Sequence, residues 1–285
     1  DVNSTSGLIS GTPTVTGSFT ATLEASNQAG SYTKQVVFDI RDYSAWRFSS
    51  EITFPGYTGS SQISDFPVYL ELNNSLSGFN YEQFSSPFGY DLRFVMSDGN
   101  EEIEYEVVSW NPGGISSFWL NLPRLDDNTT LKALWGNQNA LVQPEYSKDG
   151  RIWNGYHGVW HMDGTSDDLV KESRSSFHGT PNNFGTLREP GVIGTALSFD
   201  GVNDFLDLPL DSHPPADARK LSISFWSYGG TKHLNNNSIL ESGSALGRHL
   251  NIHLPWSNAR VYWDAGVGGI DRIDNRNETT GIRNL

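Results

Sequence analysis

Short alternating runs of apolar and polar residues, broken by explicit turns, most constrain what this chain can fold into. Residues 18–25 alternate with a period of two, residues 33–40 are a second predicted strand, and the turn-forming stretch 27–30 lies between them. That order is typical of a β-hairpin. Nowhere do apolar residues recur at the helical spacing of 3.6 over three turns. The pattern predicts an all-β chain with little helix.

The same pattern continues to the end of the chain and suggests three β-rich parts. We expect the end of one β domain at 1–41, a second β-sandwich at 42–147 and a third β module at 148–285. The fold class is therefore predicted as all-β, with β-sandwich modules in tandem. In the third part the predicted strands are 158–162, 196–199, 205–208, 221–227, 238–240, 250–254 and 260–263.

Composition excludes several classes of protein. The 285 residues include 33 Asp and Glu against 19 Lys and Arg, for a net charge of −14, which argues against nucleic acid as a partner. Because there is no cysteine, disulfides, Cys-ligated zinc and thiol nucleophiles are excluded. No apolar run approaches the roughly 18 residues of a membrane span. Since the sequence starts at Asp1 without a signal-peptide pattern, we expect a processed or excised piece.

Two sets of motifs in the first half resemble known families. Gly7 to Pro13, followed by Gly17 to Thr20, resembles the end of the immunoglobulin-like repeats of large bacterial surface proteins. The middle part resembles domain-of-unknown-function family 2341 over about ninety residues, although that family usually has Tyr at the position of Trp135. The residues that carry this second resemblance are Trp46, Tyr90-Asp91-Leu92-Arg93-Phe94, Ser97-Asp98-Gly99, Tyr105-Glu106, Ser109-Trp110, Phe118-Trp119-Leu120 and Leu134-Trp135-Gly136-Asn137.

The third part resembles the concanavalin A-like, laminin-G-type jelly roll. The later Trp-rich segments of that family are missing here, so we expect a jelly roll that is truncated in this chain. The residues that carry the resemblance are Gly158-Val159-Trp160-His161-Met162-Asp163, Phe177-His178-Gly179-Thr180, Gly194-Thr195-Ala196-Leu197-Ser198-Phe199-Asp200-Gly201, Asp204-Phe205-Leu206 and Leu221-Ser222-Ile223-Ser224-Phe225-Trp226.

Alternating glutamates offer one arrangement that could be catalytic. Glu102, Glu104 and Glu106 would share one strand face about 7 Å apart, and glycoside hydrolysis needs paired carboxylates at such distances. The favoured interpretation is a solvated acidic strand face. The Glu-x-Asp-x-x-Glu signature of hydrolytic jelly rolls does not occur in the chain. We therefore predict no catalytic residues and no enzyme activity.

Acidic turns in the third part suggest calcium as a cofactor. Asp163 follows a predicted strand, and Asp200 and Asp204 bracket a short loop. Calcium binds carboxylate and carbonyl oxygens supplied by such loops, although Asp and Gly are also common in ordinary turns. The resemblance to laminin-G-type jelly rolls implies a structural or lectin-type ion. Asp163, Asp204 and Asp200 are the predicted ligands.

Aromatic and amide side chains near the end of the chain suggest a carbohydrate site. His253, Trp256 and Tyr262 could stack on the apolar face of a sugar ring. Asn251, Asn258 and Asp264 could bind its hydroxyl groups. The alternative is that the aromatic members fill the core, which we expect for Trp226 and Trp263.

Three hypotheses for function remain. The leading one is a non-catalytic segment of a large bacterial cell-surface or secreted modular protein, which binds carbohydrate or a cell-surface polymer through the jelly roll. The second is a building block of a surface filament or layer, whose partners are other copies or a continuation of the same protein. The third is a set of accessory modules of a polysaccharide-degrading enzyme. All three locate the protein outside a bacterial cell.

Overall fold

In the computed structural model, the chain is all-β, as predicted. The structure describes residues 3, 5–98, 101–163, 169–174, 176–185, 188–209, 220–228, 238–241, 250–253, 261–265 and 271–275. The chain divides into two compact units, one of residues 1–161 and 171–178 and the other of residues 162–170 and 179–285. Among the described residues, no helix is long and apolar enough to cross a bilayer.

The first unit consists mainly of antiparallel sheets. Its described strands are β1 (Gly17–Asn27), β2 (Gly30–Ile40), β3 (Phe48–Thr53), β4 (Ile63–Leu72), β5 (Arg93–Met96), β6 (Glu102–Ile103), β7 (Tyr105–Ser109), β8 (Ser116–Leu125) and β9 (Thr130–Trp135). Three short 3-10 helices cover Tyr81–Gln83, Glu145–Ser147 and Arg151–Trp153. The strand orders are β1-β2, β3-β9-β5-β6 and β4-β8-β7.

The two larger sheets of the first unit form a β-sandwich. Phe94 and Leu131 come from one sheet, Phe118 and Leu120 come from the other, and all four belong to one buried cluster. Their burial follows from the pleat, because alternate residues of a strand point to the same face. In β8 the intervening Trp119 is only half-buried. Removal of these side chains from water is the main source of stability for the sandwich.

The predicted strand over 103–108 is in fact two strands in different sheets. Ile103 pairs with Phe94 in the first sheet, whereas Tyr105 pairs with Leu120 in the second. The chain changes sheets at Glu104, whose carbonyl oxygen accepts a hydrogen bond from the Asn121 N–H at 3.0 Å. The expectation that Glu102, Glu104 and Glu106 share one strand face was therefore wrong. Alternation along a sequence does not reveal where a strand leaves its sheet.

The hairpin predicted near the start of the chain is confirmed. β1 and β2 pair over their full length, from Gly17 opposite Ile40 to Asn27 opposite Gly30. At the turn, the Asn27 side-chain oxygen accepts a hydrogen bond from the Ala29 N–H at 2.8 Å. Asparagine often closes turns in this way, because its short side chain reaches the backbone two residues further on.

The second unit has shorter described strands. These are β10 (Thr180–Asn182), β11 (Glu189–Pro190), β12 (Thr195–Ala196), β13 (Phe205–Asp207), β14 (Ser238–Glu241), β15 (Leu250–His253), β16 (Val261–Ala265) and β17 (Asp271–Asn275). β14-β15-β16-β17 form a four-stranded antiparallel sheet, and β10-β13 and β11-β12 form pairs.

Three of the strands predicted over 148–285 are not observed as predicted. Residues 158–162 form only an isolated bridge at Trp160, and the strand predicted at 196–199 is reduced to β12 (Thr195–Ala196). Residues 221–228 are described without strand structure, and Trp226 is 70% exposed. The predictions of a strand at 221–227 and of a core position for Trp226 were therefore wrong. Among the described strands none pairs with this segment, and an alternating sequence needs a neighbouring strand to become part of a sheet. Trp263, which was also expected in the core, lies half-buried on β16.

Gly150 is expected to be indispensable for the packing of the 3-10 helix Arg151–Trp153. It has a φ of 71°, and an added Cβ would lie 2.1 Å from the Ser173 carbonyl oxygen. Gly150→Ala should lower the free energy of unfolding by more than about 2 kcal/mol, because both the backbone conformation and the contact oppose a side chain. Urea unfolding of the full chain measures this change.

Gly78 provides the matched control, since it has a φ of 80° and open space around the position of a Cβ. Gly78→Ala should cost only the conformational strain, about 1 kcal/mol. Equal losses for the two variants would contradict the steric explanation.

Candidate functional site

Two of the residues predicted to bind carbohydrate lie opposite each other in the second unit. His253 on β15 pairs with Tyr262 on β16, so their side chains share one face of the sheet. Their side chains are buried, with residue exposures of 7% and 6%. In this structure their rings are not exposed plates for stacking. Trp256 and Asn258, the other two predicted residues, lie outside the described residues.

Further polar groups join His253 on the same face of the sheet. Ser238 on β14 lies opposite His253, and its Oγ is 3.0 Å from His253 Nδ1. Asp264 on β16 lies diagonally across, with Oδ2 3.4 Å from His253 Nε2. Next to them, Asn251 lies opposite Asp264. Ser238, His253 and Asp264 are therefore connected across three strands. We call these three residues, together with Asn251, the polar row.

An amide oxygen in the polar row lacks a partner. Asn251 Oδ1 is buried and, among the described residues, accepts no hydrogen bond. A buried acceptor without a partner costs about 1–3 kcal/mol, so such atoms call for an explanation. A hydroxyl group donated by a ligand or by water would satisfy it. The sequence suggested Asn251 as a residue that could bind hydroxyl groups, and the strand register adds that it lies opposite Asp264 with a buried side-chain oxygen.

The predicted calcium ligands are not assembled into one cluster. Asp200 Oδ1 accepts hydrogen bonds from the N–H groups of Val202 and Asn203, at 2.7 and 3.2 Å. Asp204 Oδ2 in turn accepts from the Asp200 N–H at 2.8 Å. Among the described residues, no group of three or more His, Cys, Asp or Glu side chains could hold a metal ion. One carboxylate oxygen of Asp200 and one of Asp204 thus bind the backbone of their own loop, and the hydrogen bonds to Asp200 lower its pKa.

Asp163 and Asp204 each differ from an ordinary turn residue in one respect. The backbone oxygen of Asp163 accepts a hydrogen bond from Thr195 Oγ1 at 3.3 Å, so it is tied to β12. Asp204 Oδ1 is buried and has no hydrogen-bond partner among the described residues.

In the first unit, Glu102 is a buried carboxylate rather than a solvated one. Its side chain is 8% exposed and receives a hydrogen bond from the Tyr43 hydroxyl at 2.8 Å. The Tyr146 hydroxyl and the Arg41 guanidinium also contact it, and Arg93 Nε lies 3.6 Å away. Burial, and next to it the charge of Glu102, raises the pKa of Tyr43, so that hydroxyl remains a donor at physiological pH.

Glu106 is the second buried carboxylate that sequence reasoning missed. Its Oε2 accepts a hydrogen bond from Trp153 Nε1 at 2.6 Å, and His161 Nε2 lies 3.1 Å from the same oxygen. Because an ionised carboxylate only accepts hydrogen bonds, His161 holds a proton on Nε2. The imidazole also stacks on Trp119, with ring centroids 5.8 Å apart and an angle of 12°. The interpretation of Glu102 and Glu106 as a solvated face was therefore wrong.

The pKa values of Glu104 and Glu106 shift in opposite directions. Burial acts to raise the pKa of Glu106, but hydrogen bonds from His161 and Trp153 outweigh it and hold the pKa below its usual value. At Glu104 burial raises the pKa, despite Arg151 at 3.7 Å. Glu104 lies beside Arg151, and Glu106 is held by Trp153 and His161.

Comparison with protein-family models, with curated proteins and with solved structures finds no match to this chain. The fold and the contacts described above therefore define its class only as an all-β protein with β-sandwich character.

Glu106→Gln should destabilise the first unit at neutral pH by about 1–2 kcal/mol, because a charge-assisted hydrogen bond becomes a neutral one. A carboxyl group with a lowered folded pKa contributes stability above its ordinary pKa of 4.5, and this is lost as the pH falls through the folded value. Urea unfolding between pH 7 and pH 3 should show a smaller acid dependence in the variant.

Glu104→Gln is the matched control, two residues away. Its raised pKa means that ionisation at neutral pH does not stabilise the fold, so the variant should be neutral or slightly more stable. The same loss of stability for both variants would contradict the assigned role of Glu106.

Proposed function

We propose that this chain is a non-catalytic segment of a bacterial cell-surface or secreted modular protein that binds carbohydrate, or a related hydroxyl-rich surface polymer, through its second unit. The observation that carries the proposal is the polar row on β14, β15 and β16, with its unpartnered Asn251 oxygen. In this proposal the first unit is a sandwich of family 2341, and the second is a concanavalin A-like jelly roll.

The chemistry of the polar row favours hydroxyl groups as ligands. It combines a hydroxyl, an imidazole, an amide and a carboxylate within three neighbouring strands. Sugar hydroxyl groups both donate and accept hydrogen bonds, so one of them can satisfy the Asn251 amide oxygen. The net charge of −14 disfavours polyanionic ligands. Neutral polysaccharide is accordingly the preferred ligand class.

The geometry around His253 supports binding over catalysis. In serine hydrolases the serine contacts the histidine Nε2, and the aspartate orients the ring through Nδ1. Here Ser238 lies at Nδ1 and Asp264 lies at Nε2, which is the reverse arrangement. The contacts hold the imidazole from both sides and position it as a fixed polar group on the sheet.

We include calcium as a proposed cofactor of the second unit. Asp204 and Asp200 would supply carboxylate oxygens from one loop, and Asp163, which is not clustered with them in this structure, would have to approach that loop as the third ligand. Support comes from the buried Asp204 Oδ1, which has no hydrogen-bond partner among the described residues.

The full chain should be retarded on a gel that contains at least one neutral polysaccharide. Asn251→Ala should weaken retention about tenfold, since it removes the unpartnered acceptor. Asn154→Ala, at an exposed asparagine of the first unit, is the control and should bind as the parent does. Parallel gels with calcium and with a chelator test the cofactor, and Asp204→Asn should remove any calcium effect. Absence of retention on every polysaccharide in both conditions would overturn the proposal.

A second candidate function is that of a structural building block, and the β1–β2 hairpin favours it. Phe19, Leu23, Val36 and Phe38 lie on one face of this hairpin, as their register shows. Among the described strands, none pairs with β1 or β2 along their outer edges. A two-stranded hairpin is marginally stable alone, and unpaired edges are templates for further strands.

If the hairpin mediates assembly, the chain should self-associate with rising concentration in sedimentation-velocity experiments. Phe19→Asp should then shift the protein towards monomer, because a charge would interrupt the apolar face. A parent chain that stays strictly monomeric across the concentration range would exclude this second candidate.

A further inference from the structure

A cleft in the first unit, remote in sequence from the polar row, has the features of a small-ligand site. It has a volume of about 280 Å³. Its lining includes Phe88, Gly89, Tyr90, Val107, Trp110 and Gln143. A space of this size lies at the lower end of ligand pockets, so it suits one ring-sized group.

The walls of the cleft are held in place by the backbone. Trp110 Nε1 donates a hydrogen bond to the Pro87 carbonyl oxygen at 2.8 Å. Gly89 has a φ of 70°, and a Cβ at this position would lie 2.6 Å from the Trp110 ring. The indole therefore packs directly against the backbone of the loop, which only glycine permits. A pre-formed wall reduces the entropy lost on binding.

Aromatic faces dominate the wall near the solvent. Phe88 is 63% exposed, so its ring is open to solvent at the cleft. It lies beside Tyr90, with ring centroids 5.4 Å apart and an angle of 31°. These two rings offer apolar surfaces to a ligand, and Trp110, whose indole is covered by Gly89, supports the loop that carries them.

Gln143 supplies the polar part of the cleft. One of its N–H groups donates to Ser147 Oγ at 3.0 Å, and Ser147 Oγ donates to the Pro144 carbonyl oxygen at 2.8 Å. These contacts fix the amide. The carboxamide has a second N–H and a carbonyl oxygen, and among the described residues neither has a side-chain partner. A fixed amide with a free donor and a free acceptor can bind two adjacent hydroxyl groups.

We propose that this cleft binds a neutral pyranose ring, the C–H face of which packs on Phe88 and Tyr90 while its hydroxyl groups bind Gln143. None of the lining side chains is charged, which matches a neutral ligand and disfavours an ionic one. A proline-rich peptide would also pack on aromatic rings, but it needs an extended groove rather than space for one ring. This site is additional to the proposed site in the second unit.

Isothermal titration of the full chain with neutral oligosaccharides tests the cleft. The panel contains cellohexaose, xylohexaose, mannohexaose, maltohexaose and chitohexaose, and a proline decapeptide is the competing ligand. At least one oligosaccharide should bind. Phe88→Ala should weaken that binding about tenfold and Gln143→Ala about fivefold, with unchanged circular dichroism.

Two exposed residues of the same unit serve as controls. Tyr32→Ala removes an exposed aromatic ring of β2, and Gln138→Ala removes an exposed amide. Both should bind within a factor of about two of the parent, which is the scatter expected for surface substitutions.

Other outcomes would overturn this inference, and they can be told apart from a failure of the binding proposed for the second unit. Absence of binding to every oligosaccharide, or binding that Phe88→Ala and Gln143→Ala leave intact, would refute the cleft. If Asn251→Ala alone abolishes sugar binding, the second unit is the site and the cleft is not. Binding of the proline peptide without any sugar would assign the cleft to peptide instead.

Discussion

One buried carboxylate, that of Asp91, anchors the part of the first unit that carries its surface cleft. Asp91 has no solvent exposure, and its two oxygens accept hydrogen bonds from the N–H groups of Ser85, Ser86 and Gly136 at 2.8–3.0 Å. Its own carbonyl oxygen accepts from Trp46 Nε1 at 2.7 Å. Burial of a charge is costly, so this carboxylate is tolerated only because backbone dipoles surround it. These contacts join the loop after the 3-10 helix Tyr81–Gln83 to the end of β9.

Hydrogen-bond donors also compensate buried carboxylates on the outside of the sandwich. Glu102 and Glu106 are covered by segments that precede and follow the two sheets, and each carboxylate receives donors from those segments. Tyr146 and Trp153, which supply two of these donors, belong to short 3-10 helices. The donors replace the water that each carboxylate loses on burial. Some of the acidic side chains are therefore buried and organise the fold. The exposed acidic side chains affect solubility and which ligands the chain can bind.

Local patterns predicted strands well where a partner strand was available. The runs at 66–72, 118–122 and 131–135 fall within β4, β8 and β9, because alternation expresses the burial of one face of a sheet. The switch between sheets at Glu104 and the absence of a strand at 221–228 depend on distant partners. No local pattern carries that information.

The candidate sites, like the strands, could be predicted from the sequence only in part. The sequence grouped His253, Tyr262 and Asn251, since they lie on consecutive predicted strands, whereas their pairing and burial depend on the register. The cleft could not be predicted, because Phe88, Trp110 and Gln143 come from three separate parts of the chain. It depends in turn on Asp91, which binds the backbone of the loop that presents Phe88 and Tyr90. A loop that is anchored by a buried charge can keep its conformation while it exposes an aromatic ring to solvent. Rigid presentation of this kind is what a binding surface requires, since side chains held in advance lose little entropy when a ligand arrives.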